Sequence, residues 1–192
     1  MIVLTGELIL EFLKNLENHL RNLREELDIS QVEELIASIN SSQNIFIMGA
    51  GRSGFVAKAF AMRLMHLGYS VYVVGETVTP KIKKEDLLIA ISGSGETSSV
   101  INIAMKAKSM VGSKVAALTS NRNSNLARLS DVVVTLKGKV KTEKDEKIAK
   151  LAPLGTMFEL TSLIFLDALV AELLNMKGLN EEDLKERHAI LE

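Results

Sequence analysis

The sequence contains no cysteine and no tryptophan, and it has only two tyrosines. Without cysteine, disulfides, cysteine-ligated zinc sites and thiol nucleophiles are excluded. Aromatic residues make up 4% of the chain, which is too few for a surface on which nucleobases stack. An excess of one charge is also missing, since 23 basic and 24 acidic residues give a net charge of −1. This balance argues against a nucleic-acid-binding protein.

The leucine-rich N-terminus lacks the features of a secretory signal. Glu7, Glu11 and Lys14 interrupt its apolar residues, and no small-residue cleavage site follows. We therefore expect a cytoplasmic protein that does not enter a membrane. Apolar residues recur there every three to four positions, which predicts an amphipathic helix that docks on the domain or on another subunit. They are Leu4, Leu8, Phe12, Leu16, Leu20, Leu23 and Leu27.

The length of 192 residues, with 47% hydrophobic and 24% charged residues, is typical of one globular domain. We expect residues 1–40 to form N-terminal helices, residues 41–176 an α/β core and residues 180–192 a C-terminal helix. Ser30 and Glu33 have the spacing of a capping box and predict the start of a short second helix. The polar segment 137–150 is either a solvated loop or a mobile lid.

Five short apolar runs do not alternate with polar residues, which indicates strands buried on both faces. They occupy residues 45–48, 71–74, 87–91, 115–119 and 132–136. Helical spacing of apolar residues lies between most of them. Phe55, Ala59, Met62 and Leu64 mark the first such helix, and Val100, Ile103, Ala104, Ala107 and Val111 mark the second. The pattern predicts an α/β fold, a three-layer α/β/α sandwich with a five-stranded parallel sheet of flavodoxin or Rossmann type.

Ligands of such sheets bind beyond the C-terminal ends of the strands, so the loops there are the first place to search. The first loop, GAGRSG at 49–54, fits the dinucleotide fingerprint, and Glu76 lies 22 residues beyond its last glycine. Its glycines would equally bring backbone N–H groups to any phosphate at a helix N-terminus. Both interpretations stay open for this loop, in which Gly51, Arg52 and Ser53 are candidate binding residues.

The next such loop, SGSGETSS at 92–99, places four serines and one threonine around two glycines. A helix cap needs one hydroxyl, so this density of donors favours a site for a phosphate monoester. The candidate binding residues are Ser92, Ser94, Gly95, Glu96 and Thr97.

These two motifs, GAGRSG and ISGSGET, resemble those of the SIS (sugar isomerase) family of phosphosugar isomerases and phosphosugar-binding domains. The resemblance covers about residues 35–180. Segments 59–80, 151–167 and 186–192 are most similar to members that interconvert 3-hexulose 6-phosphate and fructose 6-phosphate in the ribulose monophosphate pathway. The resemblance implies a homotetramer with active sites between subunits. It also implies that the protein uses no metal and no organic cofactor.

Such an isomerisation moves a proton between neighbouring carbons and needs a general base. Glu159 lies in a run that is apolar on nearly every face, which favours a general base, but it would equally complement a helix N-terminus that begins at Pro153. Its position matches the catalytic glutamate of the resembled family. His188 corresponds to a tail histidine that approaches a neighbouring subunit's active site in that family. The nearby Ile190 departs from the asparagine that family tails often carry.

Glu76, Thr77 and His66 are further candidates for the lining of the sugar site, and His66 would equally complement a helix C-terminus. His19 is expected on the exposed side of the N-terminal helix. No histidine–carboxylate group has the spacing of metal ligands, so no metal is predicted.

Three alternatives remain at this point. A non-catalytic sugar-phosphate sensor is disfavoured because no basic helix-turn-helix pattern precedes the sheet. A small dinucleotide-binding protein would leave SGSGETSS unexplained. Arabinose 5-phosphate isomerase is the nearest rival within the family, but this chain leaves no room for its usual regulatory repeats.

Overall fold

The computed structural model describes residues 6–137 and 152–190. The helices are α1 (Glu7–Glu26), α2 (Ile29–Ser41), α3 (Arg52–His66), α4 (Ser98–Met105), α5 (Asn125–Leu129), α6 (Thr156–Met176) and α7 (Glu181–Glu186). The strands are β1 (Ile45–Gly49), β2 (Val71–Val73), β3 (Leu87–Ile91), β4 (Lys114–Thr119) and β5 (Val132–Thr135). All but the first residue of the predicted loop or lid at 137–150 lies outside the described part of the chain.

The five strands form one parallel sheet in the order β2-β1-β3-β4-β5. The predicted fold class is therefore confirmed. All five apolar runs coincide with strands to within a residue at either end. In the sheet β1 lies between β2 and β3. The chain therefore runs from β1 to β2 on one side of it and then crosses to β3 on the other side. At this reversal the loops after β1 and β3 diverge and leave a crevice at the sheet edge.

Helices cover both faces of the sheet and divide the core in two. On one face α2, α3 and α6 pack against side chains such as Ile47, Ile89 and Leu118. On the other face α4 and the π-helical turn that continues it (Lys106–Val111) pack against Phe46, Leu88 and neighbouring residues. Strand residues of β3 are buried towards both layers, which explains its continuous apolar sequence.

The prediction for the buried face of α3 is wrong in part. Leu64 is buried as expected, but Phe55 is 72% exposed and Met62 is also exposed. The residues that pack on the sheet are Val56, Ala57, Phe60, Ala61 and Leu64. The helix is apolar on two faces, and the described residues of this chain cover only one of them.

The N-terminal helices also differ from expectation in detail. The side chain of Asp28, not Ser30, caps α2, by accepting from the Ser30 backbone N–H at 3.1 Å. His19 is half-buried rather than exposed, and its Nε2 lies 2.8 Å from the Thr161 Oγ1 of α6. The first half of α1 is exposed, including Leu8.

Helix α7 ends at Glu186, so His188 follows the C-terminal helix instead of lying within it. The helix start is held by a capping box between Asn180 and Asp183. None of the helices within residues 6–137 and 152–190 combines the length and apolar character that a membrane span requires.

Candidate active site

A cavity of about 350 Å³ opens at the C-terminal edge of the sheet, between the ends of β1 and β3. Three stretches of the chain supply its walls: the loop after β1, the loop after β3 and the start of α6. The lining residues are Ala50, Gly51, Ser53, Ile91, Ser92, Gly93, Ser94, Thr97, Gly155, Phe158 and Glu159. The structure thus brings Gly51, Ser53, Ser92, Ser94, Thr97 and Glu159, all predicted site residues, into one cavity.

The loop after β3 presents hydroxyl and amide donors to the cavity. Ser92 is buried, and its Oγ lies 3.1 Å from the Thr97 Oγ1 and accepts from the Gly95 backbone N–H at 3.2 Å. Thr97 is the N-cap of α4, so the positive end of that helix dipole lies at the same place. Hydroxyls and a helix N-terminus together favour an anion with several oxygens.

The loop after β1 approaches the same cavity with a second helix N-terminus, that of α3. Gly51 has a φ of 59°, a conformation that glycine adopts without strain. A Cβ on Gly49 would lie 2.5 Å from the Ser53 backbone oxygen, so glycine is required for the tight turn there. Ser53 is buried and lines the cavity.

Two residues of the serine-rich loop support the loop instead of lining the cavity. Glu96 accepts from the Asn125 backbone N–H at 2.9 Å and from the Asn125 Nδ2 at 2.6 Å. Gly95 packs directly against Ser124, the N-cap of α5. Both contacts fix the loop to the start of α5.

Residues 119–125 follow a predicted strand and so belong to the loops in which a ligand was expected, but sequence reasoning assigned no role to any of them. Thr119 and Ser120, at the end of β4, donate to the Gly93 carbonyl at 3.1 and 2.8 Å, and Ser124 and Asn125 hold the other half of the loop. The polar stretch 119–125 follows a strand end, which is the signal that could have identified it. The short helix α5 was not predicted, so its contacts could not be.

Glu159 lies in the first turn of α6, after an unusual backbone segment. Leu154 has a φ of 55° and Gly155 a φ of 87°, and α6 then begins at Thr156. The side chain of Glu159 is only 8% exposed. Within the described residues its carboxylate has one hydrogen-bonding partner, Arg52. The Arg52 Nε donates to the Glu159 Oε2 in an ion pair.

Arg52 therefore points to Glu159 and does not line the serine-rich cavity. It borders a second cavity of about 380 Å³, which is nearly all apolar and shares Glu159 with the first. The other lining residues are Phe55, Val56, Ala59, Leu160 and Leu163.

The remaining candidates for the sugar site do not line the first cavity in this chain. Glu76 is exposed and pairs with Lys58 at 2.6 Å, and Thr77 is exposed. The rings of His66 and His188 stack with centroids 5.2 Å apart, and the Arg187 Nη1 donates to the His66 carbonyl at 3.1 Å.

His66 is the last residue of α3, whereas Arg52 is the first. Fourteen residues of helix span about 21 Å, so the two histidines lie at the far end of α3 from Glu159. Among the residues that the structure describes, no three histidine, aspartate or glutamate side chains are grouped as metal ligands would be.

A buried carboxylate opposite a set of phosphate-binding donors can remove a proton from a carbon of a bound sugar phosphate. The donors would hold the phosphate at one end of the ligand, while the carboxylate faces its carbon chain. The arrangement has the protein groups that proton transfer needs: a carboxylate that accepts a proton and neighbouring hydrogen-bond donors that can hold a ligand.

Comparison with known proteins gives a consistent family. The model of the SIS domain matches residues 38–170. A protein from Archaeoglobus fulgidus, described as uncharacterised, is 60% identical over 96% of this chain and 100% of its own length. The 3-hexulose-6-phosphate isomerase of Bacillus subtilis is 42% identical over 95% of this chain and 98% of its own length.

Solved structures agree. A crystal structure from Methanococcus jannaschii, for which the molecular function of 3-hexulose-6-phosphate isomerase was inferred, is 38% identical to this chain. It superposes with a TM-score of 0.81 and covers 95% of this chain and 98% of its own.

Proposed function

The chain belongs to the SIS domain family, and we propose that it is a sugar-phosphate isomerase that interconverts 3-hexulose 6-phosphate and fructose 6-phosphate, a 6-phospho-3-hexuloisomerase. One observation carries the proposal: the buried carboxylate of Glu159 and the hydroxyls of Ser53, Ser92, Ser94 and Thr97 line the same cavity. Several relatives that carry this enzyme's name are 37% to 42% identical to the chain.

The phosphate of the substrate would lie between the N-termini of α3 and α4. The hydroxyls of Ser53 and Ser94, and one of the hydrogen-bonded pair Ser92 and Thr97, can donate to phosphate oxygens. Both helix dipoles favour the negative charge of the phosphate. A volume of about 350 Å³ falls in the range of small-ligand pockets. The supported loop at 92–97 would keep the donors in place before the ligand arrives.

Glu159 would act as the general base. It takes the proton from C3 of fructose 6-phosphate, the electrons move into the C2 carbonyl, and a 2,3-enediolate forms. A proton then passes from the C3 hydroxyl to the C2 oxygen, and return of the abstracted proton to C2 gives the 3-keto sugar. Hydrogen is moved within the molecule and no electron acceptor is consumed. Donors near the developing enediolate oxygen would stabilise it.

Self-association would complete the site. The outer side of α3 and α6 exposes apolar side chains that residues 6–137 and 152–190 leave uncovered: Phe55, Met62, Met65 and Ile164. This surface adjoins the apolar cavity beside Glu159. An uncovered apolar surface of this kind is typical of a subunit interface. We assign it to other copies of the chain in a homo-oligomer, with a tetramer as the expected state.

His188 would act on a neighbouring subunit. Its distance from Glu159 along α3 excludes a direct role in its own chain's cavity, so a role in ring opening or proton transfer requires the adjacent copy. Its stack on His66 and the Arg187 contact hold the tail in a defined position at the end of α3. With an aldolase that releases formaldehyde from 3-hexulose 6-phosphate, the enzyme would serve the ribulose monophosphate pathway in the cytoplasm.

The proposal is tested by incubating the purified protein with fructose 6-phosphate in D₂O and following the sugar by NMR. Abstraction at C3 predicts deuterium at C3, whereas an aldose–ketose isomerase acting on the same substrate would place it at C1. A coupled aldolase that releases formaldehyde detects the 3-keto product. Binding of fructose 6-phosphate without exchange or turnover would identify a sensor and overturn the proposal.

A further inference from the structure

Arg52 is a predicted phosphate ligand that does not line the serine-rich cavity. Its neighbour Ser53 lines the serine-rich cavity, but the Arg52 side chain extends over α6 and its Nε donates to the Glu159 Oε2. The Arg52 side chain remains 57% exposed, whereas the Glu159 carboxylate is almost fully buried. The hydrogen-bonding partner of Arg52 in this structure is therefore the Glu159 carboxylate.

Arg52 contacts Glu159 from the side of the apolar cavity. Glu159 forms a shared wall between the serine-rich cavity and the apolar one, and Arg52 borders only the apolar one. Within the described residues, only Oε2 of the carboxylate is bonded, and Oε1 is left for a proton. Arg52 thus holds the Oε2 of Glu159 in place, while Oε1 can accept a proton.

We propose that Arg52 is a positioning residue that fixes the orientation of the Glu159 carboxylate for proton abstraction, and that it is not a ligand of the substrate phosphate. This inference rests on the proposed function. A long carboxylate side chain has several rotamers, and an ion pair to one oxygen restricts them. The guanidinium also offsets the repulsion between the carboxylate and a phosphate dianion bound in the same cavity.

Removal of a positioning group should therefore lower turnover and leave phosphate binding unchanged. Arg52→Ala is expected to reduce kcat by about 10²-fold, the loss typical of a misplaced catalytic group, and to keep KM near its wild-type value. Inorganic phosphate, used as a competitive inhibitor, should inhibit the variant and the wild type equally. Added guanidinium at millimolar concentration should restore part of kcat, because it can occupy the place of the lost side chain. Arg52→Lys keeps the charge but not the planar donor and should be intermediate.

Arg21→Ala is the matched control, since Arg21 forms an exposed ion pair with Glu17 at 3.1 Å on α1. It should retain wild-type kcat. Thermal unfolding of every variant separates loss of folding from loss of positioning.

A tenfold weaker inhibition by phosphate and a raised KM with unchanged kcat in Arg52→Ala would make Arg52 a phosphate ligand and overturn the inference. Full activity of Arg52→Ala, or a loss of kcat that guanidinium does not reverse in a folded variant, would also overturn it. In each of these three cases, turnover by the wild type leaves the proposed function intact. Absence of turnover and of C3 exchange in the wild type overturns the proposed function, and this inference fails with it.

Discussion

Gly95 and Ser124 are packed so closely that a Cβ on Gly95 would lie 2.0 Å from the Ser124 Oγ. The Ser124 Oγ is itself occupied, since it accepts from the Ala127 backbone N–H at 3.2 Å as the cap of α5. The serine-rich loop can therefore take its shape only if residue 95 has no side chain. Residues that never line the cavity thus control the geometry of those that do.

Gly95→Ala should weaken both folding and phosphate binding. Positive φ costs an alanine about 1–2 kcal/mol, and the collision adds about 1–3 kcal/mol. Gly75→Ala is the control, because Gly75 has a φ of 99° and open space around it, so only the backbone term applies there. We expect a lower denaturation midpoint and weaker inhibition by inorganic phosphate for Gly95→Ala than for Gly75→Ala. Equal effects of the two substitutions would contradict the close contact.

Glu159→Gln should abolish proton transfer while keeping the shape of the site. Loss of a general base lowers kcat by about 10²–10⁴-fold. Deuterium incorporation at C3 of fructose 6-phosphate should fall in parallel, and phosphate should still bind. Glu172→Gln, on an exposed position of the same helix, serves as the control. A Glu159→Gln variant with full exchange activity would remove Glu159 from the base role.

Phe55→Glu should disrupt self-association. Phe55 is exposed in the single chain and borders the apolar cavity beside Glu159, so a charge there would be buried against a second copy. Light scattering coupled to size exclusion should show smaller particles, and activity should fall with them. Met110→Glu substitutes a residue that is equally exposed, on the π-helical turn, and should change neither. An unchanged mass for Phe55→Glu would place the interface elsewhere.

Stability should decrease as the solution becomes acidic, in part through His19. Burial lowers the pKa of His19 below its usual value near 6.5, while a backbone contact with Lys137 and the charge of Glu26 act in the opposite direction. As the pH falls from about 6.5 towards the lower pKa of the folded chain, the unfolded chain binds a proton at His19 that the folded chain does not. The free energy of unfolding therefore falls over this range.

His19→Gln keeps a donor to Thr161 but does not titrate. Its melting temperature should fall less than that of the wild type between about pH 7.5 and about pH 5.5. Identical falls in the two proteins would show that His19 does not contribute.

The sequence allowed the sheet to be predicted because its strands are apolar without a polar alternation. The central strands β1, β3 and β4 are buried on both faces, whereas the edge strands β2 and β5 are partly exposed and were expected to be buried as well. Helix α3 was harder, since Phe55 and Phe60 are equally apolar and the pattern does not say which of the two packs on the sheet. Ser92 and Ser94 were found from their place after a strand. The roles of Gly95 and Glu96 depend on contacts with α5, and no local pattern encodes a contact between segments so far apart along the chain.

The walls of the serine-rich cavity come from residues 50–53, 91–97 and 155–159, which meet only when the parallel sheet and α6 are in place. Contacts of such large sequence separation form late and slowly in folding, because chain entropy must be lost before they are gained. No fragment that ends before α6 contains the cavity. Ligand binding therefore reports on completed folding. A phosphate compound that binds only the native state would shift the equilibrium from the last folding intermediates to that state.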